Sequence, residues 1–180
     1  MFNISRRTKS LGRLAVTASV LGAVTLGGVS TAFANGVVTW TNAKTGSCLK
    51  SDDSDGSYDV YTGVCGSSVS GTYLDSYWYD QQQSNSAWLE RAGGSSGPCL
   101  DAGRQWSGYG TVWVDGCAGD NGNLNQDWLE INTGSGWLLH NWMSGYVLDG
   151  GNGPGANGLF RSQNVFVNTQ YSGDSWQLWH

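Results

Sequence analysis

The sequence predicts an all-β fold, and three observations lead to it. Glycine is abundant, with 28 residues against two prolines. No window after residue 34 shows a sustained apolar pattern at helical spacing. Short apolar runs such as 37–40 (VVTW), 111–114 (TVWV) and 137–140 (WLLH) instead alternate with clusters of Gly, Asn and Ser. This alternation is typical of short strands joined by tight turns.

The first 34 residues predict an export signal. Residues 1–13 hold four basic residues and no acid, and a short apolar stretch follows at 14–29. Ala32-Phe33-Ala34 then provides the small residues that a signal peptidase reads. We expect cleavage after Ala34 and a secreted domain of residues 35–180. A membrane anchor is the alternative, but the apolar run is short and interrupted by glycine.

The charge of the expected mature chain argues against several partners. All fourteen acidic residues but only five of the nine basic residues lie after residue 34. A surface of this sign repels phosphate backbones and anionic lipids, so we expect neither nucleic-acid binding nor membrane insertion.

The four cysteines, in an even number and an exported context, predict disulfides. Separations of 17 and 18 residues favour two local bridges, Cys48–Cys65 and Cys99–Cys117. Each would stabilise the fold by about 3 kcal/mol on a chain-entropy model. Zinc is the alternative ligand, but no C-x-x-C is present and only His140 and His180 could assist. We expect no metal site and no cofactor.

The chain repeats three times, at about residues 36–90, 91–130 and 131–180. Each unit opens with Ser or Thr, Gly and one spacer, followed by Cys48-Leu49-Lys50, Cys99-Leu100-Asp101 or Val147-Leu148-Asp149. Cys65, Cys117 and Val165 follow 17, 18 and 18 residues after the first position of these triplets. We interpret Val147 and Val165 as an apolar contact that replaces a disulfide in the third unit.

Other apolar positions recur with the same period. Val60, Val112 and Phe160 are predicted to point inward, and a tryptophan closes each unit, at Trp88, Trp128 and Trp176. On this register the first unit carries about 12 extra residues between Gly66 and Gln83. They contain an aromatic segment, residues 73–79, with Tyr73, Tyr77, Trp78 and Tyr79. This segment is interpreted either as an exposed contact surface or as a cover for the barrel.

These units resemble the ricin-B-type lectins with their threefold Q-x-W repeat, along about residues 37–180. In this register only the second unit keeps the Gln, as Gln126-Asp127-Trp128, while Ser86 and Asp174 replace it elsewhere. The resemblance implies a β-trefoil of three pseudo-repeats, two of them with an internal disulfide. One unit cannot bury its apolar face alone, whereas three can close a filled barrel.

The resemblance also implies a sugar site, best kept in the second unit. Asp101 would accept bonds from sugar hydroxyls, Asn125 would bind a further hydroxyl, and Gln126 would support the site. Asp115 stands where the family has a stacking aromatic ring. Trp113 lies two residues earlier and therefore on the same strand face, so it is our candidate for the ring. Packing of Trp113 inside the protein is the alternative.

Two other aromatic residues could stack on the sugar, and the other two units keep fewer of the expected sugar-binding residues. Trp106 and Tyr109, in the loop before Trp113, could also supply the ring. The third unit keeps Asp149 but has Gln163 at the stacking position and Gly173-Asp174 at the Asn-Gln position. The first unit has Lys50 in place of the aspartate, so we expect no such site there.

Catalysis is not expected. The sequence holds no G-x-S-x-G and no H-E-x-x-H, and His140 lies in an apolar strand, where a structural role is favoured. The acidic stretch 52–56 is interpreted as a solvated turn, because it lacks the ligand spacing of a calcium loop. We expect a secreted, non-catalytic protein that binds a galactose-type or related glycan. The alternative is a protein-binding trefoil that uses the aromatic segment and has degenerate sugar pockets.

Overall fold

The computed structural model describes residues 35–52, 59–66, 76–103, 105–106 (backbone only), 109–120, 122–151 and 165–180. These residues belong to one compact unit, Thr31–His180. No helix of the described residues is long and apolar enough to span a membrane.

The described residues form thirteen short strands, as the abundance of glycine and turn residues predicts. The strands are β1 Gly36–Val38, β2 Cys48–Asp52, β3 Asp59–Gly63, β4 Trp78–Gln82, β5 Trp88–Ala92, β6 Cys99–Asp101, β7 Gln105–Trp106, β8 Tyr109–Thr111, β9 Trp113–Asp115, β10 Trp128–Asn132, β11 Trp137–Asn141, β12 Val147–Asp149 and β13 Phe166–Asn168.

Five strands and the C-terminal segment close a barrel. Antiparallel pairs join β1 to β4, β4 to β5, β5 to β10 and β10 to β11. Trp179 then bridges Trp137 on one side and Asn42 on the other. Thr41 and His180 exchange both backbone hydrogen bonds, at 2.8 and 2.9 Å. Closure leaves no free sheet edge in the barrel.

Three hairpins accompany this barrel, one in each unit. They are formed by β2 with β3, β6 with β9, and β12 with β13, and each starts at the triplet that the repeat identified. Neighbouring hairpins join through Asp59 opposite Trp113 and Phe166 opposite Thr111. A six-stranded barrel with three hairpins is the β-trefoil, and the prediction of the fold is confirmed.

The core repeats with the same threefold pattern. Each unit contributes one leucine, one valine and one tryptophan that are at most 3% exposed: Leu49, Leu100 and Leu148; Val60, Val112 and Val165; Trp78, Trp128 and Trp179. Burial of nine large apolar side chains on one axis is what allows three small units to fold together.

The structure shows that a different tryptophan from the predicted one closes two of the three units. The indole N–H of Trp78, Trp128 and Trp179 donates to the carbonyl of Leu49, Leu100 and Leu148, at 3.0, 2.9 and 3.2 Å. Trp128 is therefore confirmed, whereas Trp78 and Trp179 close the first and third units. Trp88 is buried as predicted but opens β5, and Trp176 is only partly buried.

The structure also corrects the prediction that Val147 and Val165 replace the two cysteines of a disulfide in the third unit. Val147 does occupy the position of Cys99, since it opens the hairpin. In the strand pairing, Asp149 lies opposite Phe166 as Asp101 lies opposite Trp113. Val165 therefore corresponds to Val112 and not to Cys117, and the inward residue of this unit is Val165. The predicted inward residue Phe160 lies outside the described residues.

The two predicted disulfides are present. Cys48 bonds Cys65 and Cys99 bonds Cys117, with Cα–Cα distances of 5.0 and 5.1 Å. The described cysteines include no free thiol. Each bridge ties the start of a hairpin to the residues just beyond its end, so it fixes the loop that follows the second strand.

The turn before each triplet requires glycine, but the physical reason differs between the units. Gly46 and Gly145 both adopt φ of 70°, where a side chain would be strained. A Cβ at Gly97 would instead lie 1.7 Å from the backbone oxygen of Ala92. The same sequence position thus needs glycine for conformation in two units and for space in the other.

Candidate functional site

The strongest candidate site lies at the end of the second hairpin. Asp101 is the last residue of β6 and lies directly opposite Trp113, the first residue of β9. The short strands follow from the glycines around them, and the pairing places a carboxylate and an indole on neighbouring strands. Trp113 is partly exposed, so part of its side chain is accessible at the end of the hairpin.

Gly103 lets the ring of Trp113 lie close to the backbone. A Cβ on Gly103 would fall 1.7 Å from Cη2, 2.0 Å from Cζ3 and 2.4 Å from Cζ2 of the indole. The six-membered part of the ring therefore lies over this glycine, two residues after Asp101. Because only a residue without a side chain fits there, Gly103 determines where the ring can lie.

Two side-chain amides orient the carboxyl of Asp101. Asn123 Nδ2 donates to Asp101 Oδ2 at 2.8 Å, and Gln126 also hydrogen-bonds the carboxyl. Gln126 accepts from Ala118 N at 2.9 Å and donates to Gly116 O at 3.0 Å, so it ties the loop of the disulfide to the site. Its predicted supporting role matches these contacts.

Asn123 was not predicted, whereas Asn125 lies beside Asp101, and its role towards a sugar hydroxyl stays a prediction. The carbonyl of Asn125 accepts from Ala102 N at 2.9 Å and from Asn141 Nδ2 at 2.8 Å. Its backbone is thereby fixed beside Asp101, while its side chain is partly exposed. The sequence signal that could have pointed to Asn123 is the repeated asparagine of 121–125 (NGNLN), which offers three amides.

The electrostatics of the site are unfavourable for a free carboxylate. Burial raises the pKa of Asp101 above its usual range, the bonds from Asn123 and Gln126 act in the opposite direction, and the nearby Asp115 raises it again. Asp101 is only 4% exposed. Asp115 is exposed and accepts a hydrogen bond from its neighbour Gly116 N at 2.6 Å, so it presents charge at the position predicted for a stacking ring.

The third unit brings together a related group of residues. Gly151 N, Gln177 Nε2 and Asn168 Nδ2 donate to Asp149 at 2.8, 3.2 and 3.4 Å. Burial raises the pKa of Asp149, these three bonds lower it, and Asp174 raises it. Gln177 thus takes the role of Gln126, so the Q-x-W of this unit is Gln177-Leu178-Trp179.

An aromatic ring also lies beside Asp149, supplied from another part of the unit. The Trp176 carbonyl accepts from Gly150 N at 2.9 Å and from Asn42 Nδ2 at 2.8 Å, as the Asn125 carbonyl accepts in the second unit. A Cβ at Gly151 would lie 3.2 Å from Trp176 Cγ and 2.9 Å from Asp149 Oδ1. Trp176 therefore occupies the Asn125 position, and ring and carboxylate flank the same glycine.

This register corrects the assignments made for the third unit. Gly173-Asp174 is not the Asn-Gln pair, because Trp176-Gln177 occupies those positions. Asn168 pairs with Val147 as Asp115 pairs with Cys99, so Asn168 and not Gln163 has the stacking position. Gln163 itself, like the side chain of Trp106, lies outside the described residues.

The first unit has different chemistry at the same place. Lys50 is 3% exposed, lies opposite Tyr61, and donates from Nζ to the carbonyl of Val64 at 3.2 Å. A cation that donates cannot replace a carboxylate that accepts hydroxyl bonds.

The described part of the aromatic segment, residues 76–79, leads into a strand of the barrel. Trp78 is fully buried and begins β4, and Tyr79 follows it on the same strand. Tyr77 is 50% exposed, while Tyr73 lies outside the described residues. Trp78 is the closing core residue, so the predicted contact surface does not include it.

Comparison with known proteins shows the fold. Among solved structures, a designed threefold-symmetric protein, ThreeFoil, aligns with a TM-score of 0.60 at 20% identity, over 80% of this chain and 96% of that one. A non-toxic homologue of type II RIPs from Momordica charantia (bitter gourd), in complex with alpha-methyl-D-galactoside, aligns with a TM-score of 0.52 at 17% identity, over 82% of this chain and 48% of that one.

A mosquitocidal holotoxin aligns with a TM-score of 0.54 at 17% identity, over 81% of this chain and 16% of that one. The chain thus spans about half of the bitter gourd chain and a small part of the toxin. No protein-family model and no curated protein matches the sequence. At these identities the structural likeness shows a shared β-trefoil fold.

A second group of polar residues lies inside the barrel, away from the hairpin sites. Asp80, Glu90 and Glu130 stand on β4, β5 and β10, and one carboxylate oxygen of each lies within 4.8 Å of the others. Burial raises the pKa of Asp80 to about 6 and, together with the charge of Asp80, that of Glu130 to about 8. Burial and its two neighbours raise the pKa of Glu90 well above its usual range.

These pKa values predict that the free energy of unfolding falls as pH rises. Folded-state pKa values above the unfolded ones mean that the folded protein binds more protons, so the stabilisation is complete below about pH 4 and is lost through about pH 8. Each such proton contributes a slope of up to about 1.4 kcal/mol per pH unit. Urea unfolding at several pH values measures this slope. Glu130→Gln should flatten it, whereas Asp120→Asn, which changes an exposed carboxylate, should not.

Proposed function

We propose that this chain is a secreted, non-catalytic glycan-binding trefoil of the ricin-B type. It binds a galactose-type or related sugar mainly through the second unit. The observation that carries the proposal is the juxtaposition of Asp101, Trp113 and Asn123 at the end of one hairpin. A sugar has an apolar C–H face and a rim of hydroxyls, and a flat ring beside fixed polar groups recognises both.

The polar groups are suited to this task because they are already oriented. The amides of Asn123 and Gln126 hold the Asp101 carboxylate, so it need not reorganise when it accepts hydroxyl bonds. The indole of Trp113, held over Gly103, is partly exposed beside it. The bitter gourd trefoil, whose structure contains a galactoside, supports the choice of the sugar class.

The third unit offers a second, weaker pocket. Asp149 and Trp176 flank Gly151 in an arrangement that resembles Asp101, Trp113 and Gly103. Single pockets of this kind bind weakly, and two pockets on one domain raise the avidity for glycans that present several copies of a sugar.

Export and the absence of catalysis are part of the same proposal. The basic start, the apolar stretch and Ala32-Phe33-Ala34 support secretion. In the part of the chain that the structure describes, both cysteine pairs are bonded and the barrel is filled with side chains. A binding role therefore accounts for the described site better than a catalytic one.

Removal of the Asp101 charge should test the proposal. Asp101→Asn keeps the shape but loses a charged acceptor, and charge-assisted hydrogen bonds contribute about 1.5–3 kcal/mol. Binding to a galactoside-bearing surface should therefore weaken by about 10- to 100-fold. Glycan-array binding of the wild type would first identify the sugar, and titration of the soluble glycoside would then compare the variants.

The matched variants are Asp149→Asn, which should reduce avidity but not single-site affinity, and Asp120→Asn, which should change neither. If the wild type binds no glycan on the array, the proposal fails. The low exposure of Asp101 and the charge of Asp115 favour a second candidate in that event, a protein-binding trefoil with degenerate pockets.

A further inference from the structure

A sequence pattern places three acids inside the barrel. Tryptophan, one residue and an acid recur at Trp78-Tyr79-Asp80, Trp88-Leu89-Glu90 and Trp128-Leu129-Glu130. Residues i and i+2 of a strand face the same side, so an acid two positions after an inward tryptophan also points inward. The structure accordingly places the acids on three adjacent barrel strands, with Asp80 directly opposite Glu90.

The three carboxyls are buried and incompletely partnered. Asp80 is 4% exposed and Glu90 is fully buried, whereas Glu130 is partly exposed. Asp80 Oδ1, Glu90 Oε1 and Glu130 Oε1 are buried and receive no hydrogen bond from outside the cluster. Within it, the carboxyl of Glu90 hydrogen-bonds those of Asp80 and Glu130. Trp40 Nε1 donates to the other oxygen of Glu90 at 2.9 Å.

The two described lysine and arginine residues that are not exposed, Lys50 and Arg91, donate hydrogen bonds to other groups. Arg91, next to Glu90 in sequence, faces the other side of β5 and donates to Gln81 Oε1 and Gly97 O. Lys50 donates to the carbonyl of Val64. Three acids that are buried together must gain protons or a cation, because an unpaired buried charge costs several kcal/mol.

We propose that Asp80, Glu90 and Glu130 form a binding site for a divalent cation, with calcium as the preferred ion. This site is separate from the glycan pockets and does not depend on the proposed function. Carboxylate oxygens are the ligands of hard cations such as calcium and magnesium, not of zinc held by thiols and imidazoles.

The oxygens are close together, and the geometry that each ion requires favours calcium over magnesium, because calcium accepts irregular ligand arrangements. Calcium–oxygen distances of about 2.3–2.6 Å allow ligand oxygens to lie up to about 5 Å apart across one ion. Magnesium, at about 2.1 Å, requires near-ideal octahedral geometry. One oxygen of each of the three carboxyls lies within 4.8 Å of the others. The partial exposure of Glu130 leaves a side of the site through which an ion can enter.

Such a site would join three strands from two units. Because Trp78 closes the first unit, the second unit begins at β5, before the predicted boundary at residue 90. Asp80 thus lies on the last strand of the first unit, and Glu90 and Glu130 on the first and last strands of the second. An ion bound there would cross-link the barrel, and folded protein would be stabilised because the unfolded chain does not assemble the ligands.

Terbium luminescence and thermal unfolding of the exported chain, residues 35–180, should test the site. The indole of Trp40 contacts a ligand carboxylate, so excitation of tryptophan should sensitise Tb³⁺ bound there, and calcium should displace it. Calcium at about 100 times its Kd should raise the Tm of the chelator-treated protein by about 5–10 °C. Sodium chloride of equal ionic strength should not.

Glu130→Gln preserves the side-chain shape and removes one ligand charge. The variant should therefore lose most of the Tb³⁺ luminescence and most of the calcium-dependent rise in Tm. Asp101→Asn and Asp120→Asn should keep both. Absence of calcium-displaceable luminescence in the wild type would overturn the proposal whatever the variant does. An unchanged calcium response in Glu130→Gln would do the same, since the ion would then bind elsewhere.

Discussion

Trp128→Ala is expected to lower the free energy of unfolding by about 3–5 kcal/mol, as other buried tryptophan-to-alanine changes do. Trp128 is fully buried at the centre of the core, and its indole N–H donates to Leu100 O at 2.9 Å. Its removal leaves a cavity between the units and a carbonyl without its partner. Since domains of this size are stable by about 5–15 kcal/mol, the loss is a large share of the total.

Chemical denaturation monitored by circular dichroism would measure this change, with Trp142→Ala as the control. Trp142 is 43% exposed and should change stability by less than about 0.5 kcal/mol. Trp128→Phe separates the cost of the cavity from the cost of the lost hydrogen bond, because it keeps most of the side-chain volume and removes only the indole N–H. A loss for Trp128→Ala that equals the loss for Trp142→Ala would contradict the assignment of Trp128 as a closing residue.

Gly103→Ala is expected to weaken glycan binding by the second unit strongly while the protein stays folded. The added methyl would lie 1.7 Å from the ring of Trp113, so the ring must rotate away from its place beside Asp101. Rotation of one partly exposed side chain costs the fold about 1–3 kcal/mol or less. The pocket, however, loses its apolar surface, and affinity should fall by about 10-fold or more.

Gly116→Ala is the matched control, because a Cβ at Gly116 meets nothing within 4 Å. It lies in the same unit and should leave both affinity and stability close to the wild type. Titration with the soluble glycoside and the indole N–H resonance of Trp113 would report binding and ring position separately. Retained affinity in Gly103→Ala would exclude Trp113 from the pocket.

The closing tryptophans show where a sequence pattern reaches its limit. The first unit offers Trp78 and Trp88, and the third offers Trp176 and Trp179. Spacing alone selected Trp88 and Trp176, because the loops differ in length between units. The choice is made by the indole bond to the leucine carbonyl of the hairpin, a contact between residues about 30 positions apart.

The candidate site was predicted in part for the same reason. The motif and the alternation of side chains along a strand are local patterns, and they were enough to predict Asp101, Trp113 and Gln126. Asn123 and Trp176 reach their carboxylates through loops, and loop geometry depends on how the hairpins pack on the barrel. The acids Asp80, Glu90 and Glu130 alternate with tryptophans on separate strands, and only barrel closure brings them within reach of one another.

The sequence by itself determined the all-β class, the threefold repeat and the two disulfides. Each of these depends on residue type and on spacings within a single unit. The tertiary structure decided the register of the first and third units, the partners of Asp101 and Asp149, and the cluster of acids inside the barrel. These depend on contacts between strands that are distant in the chain, and only closure of the three units into one barrel creates such contacts.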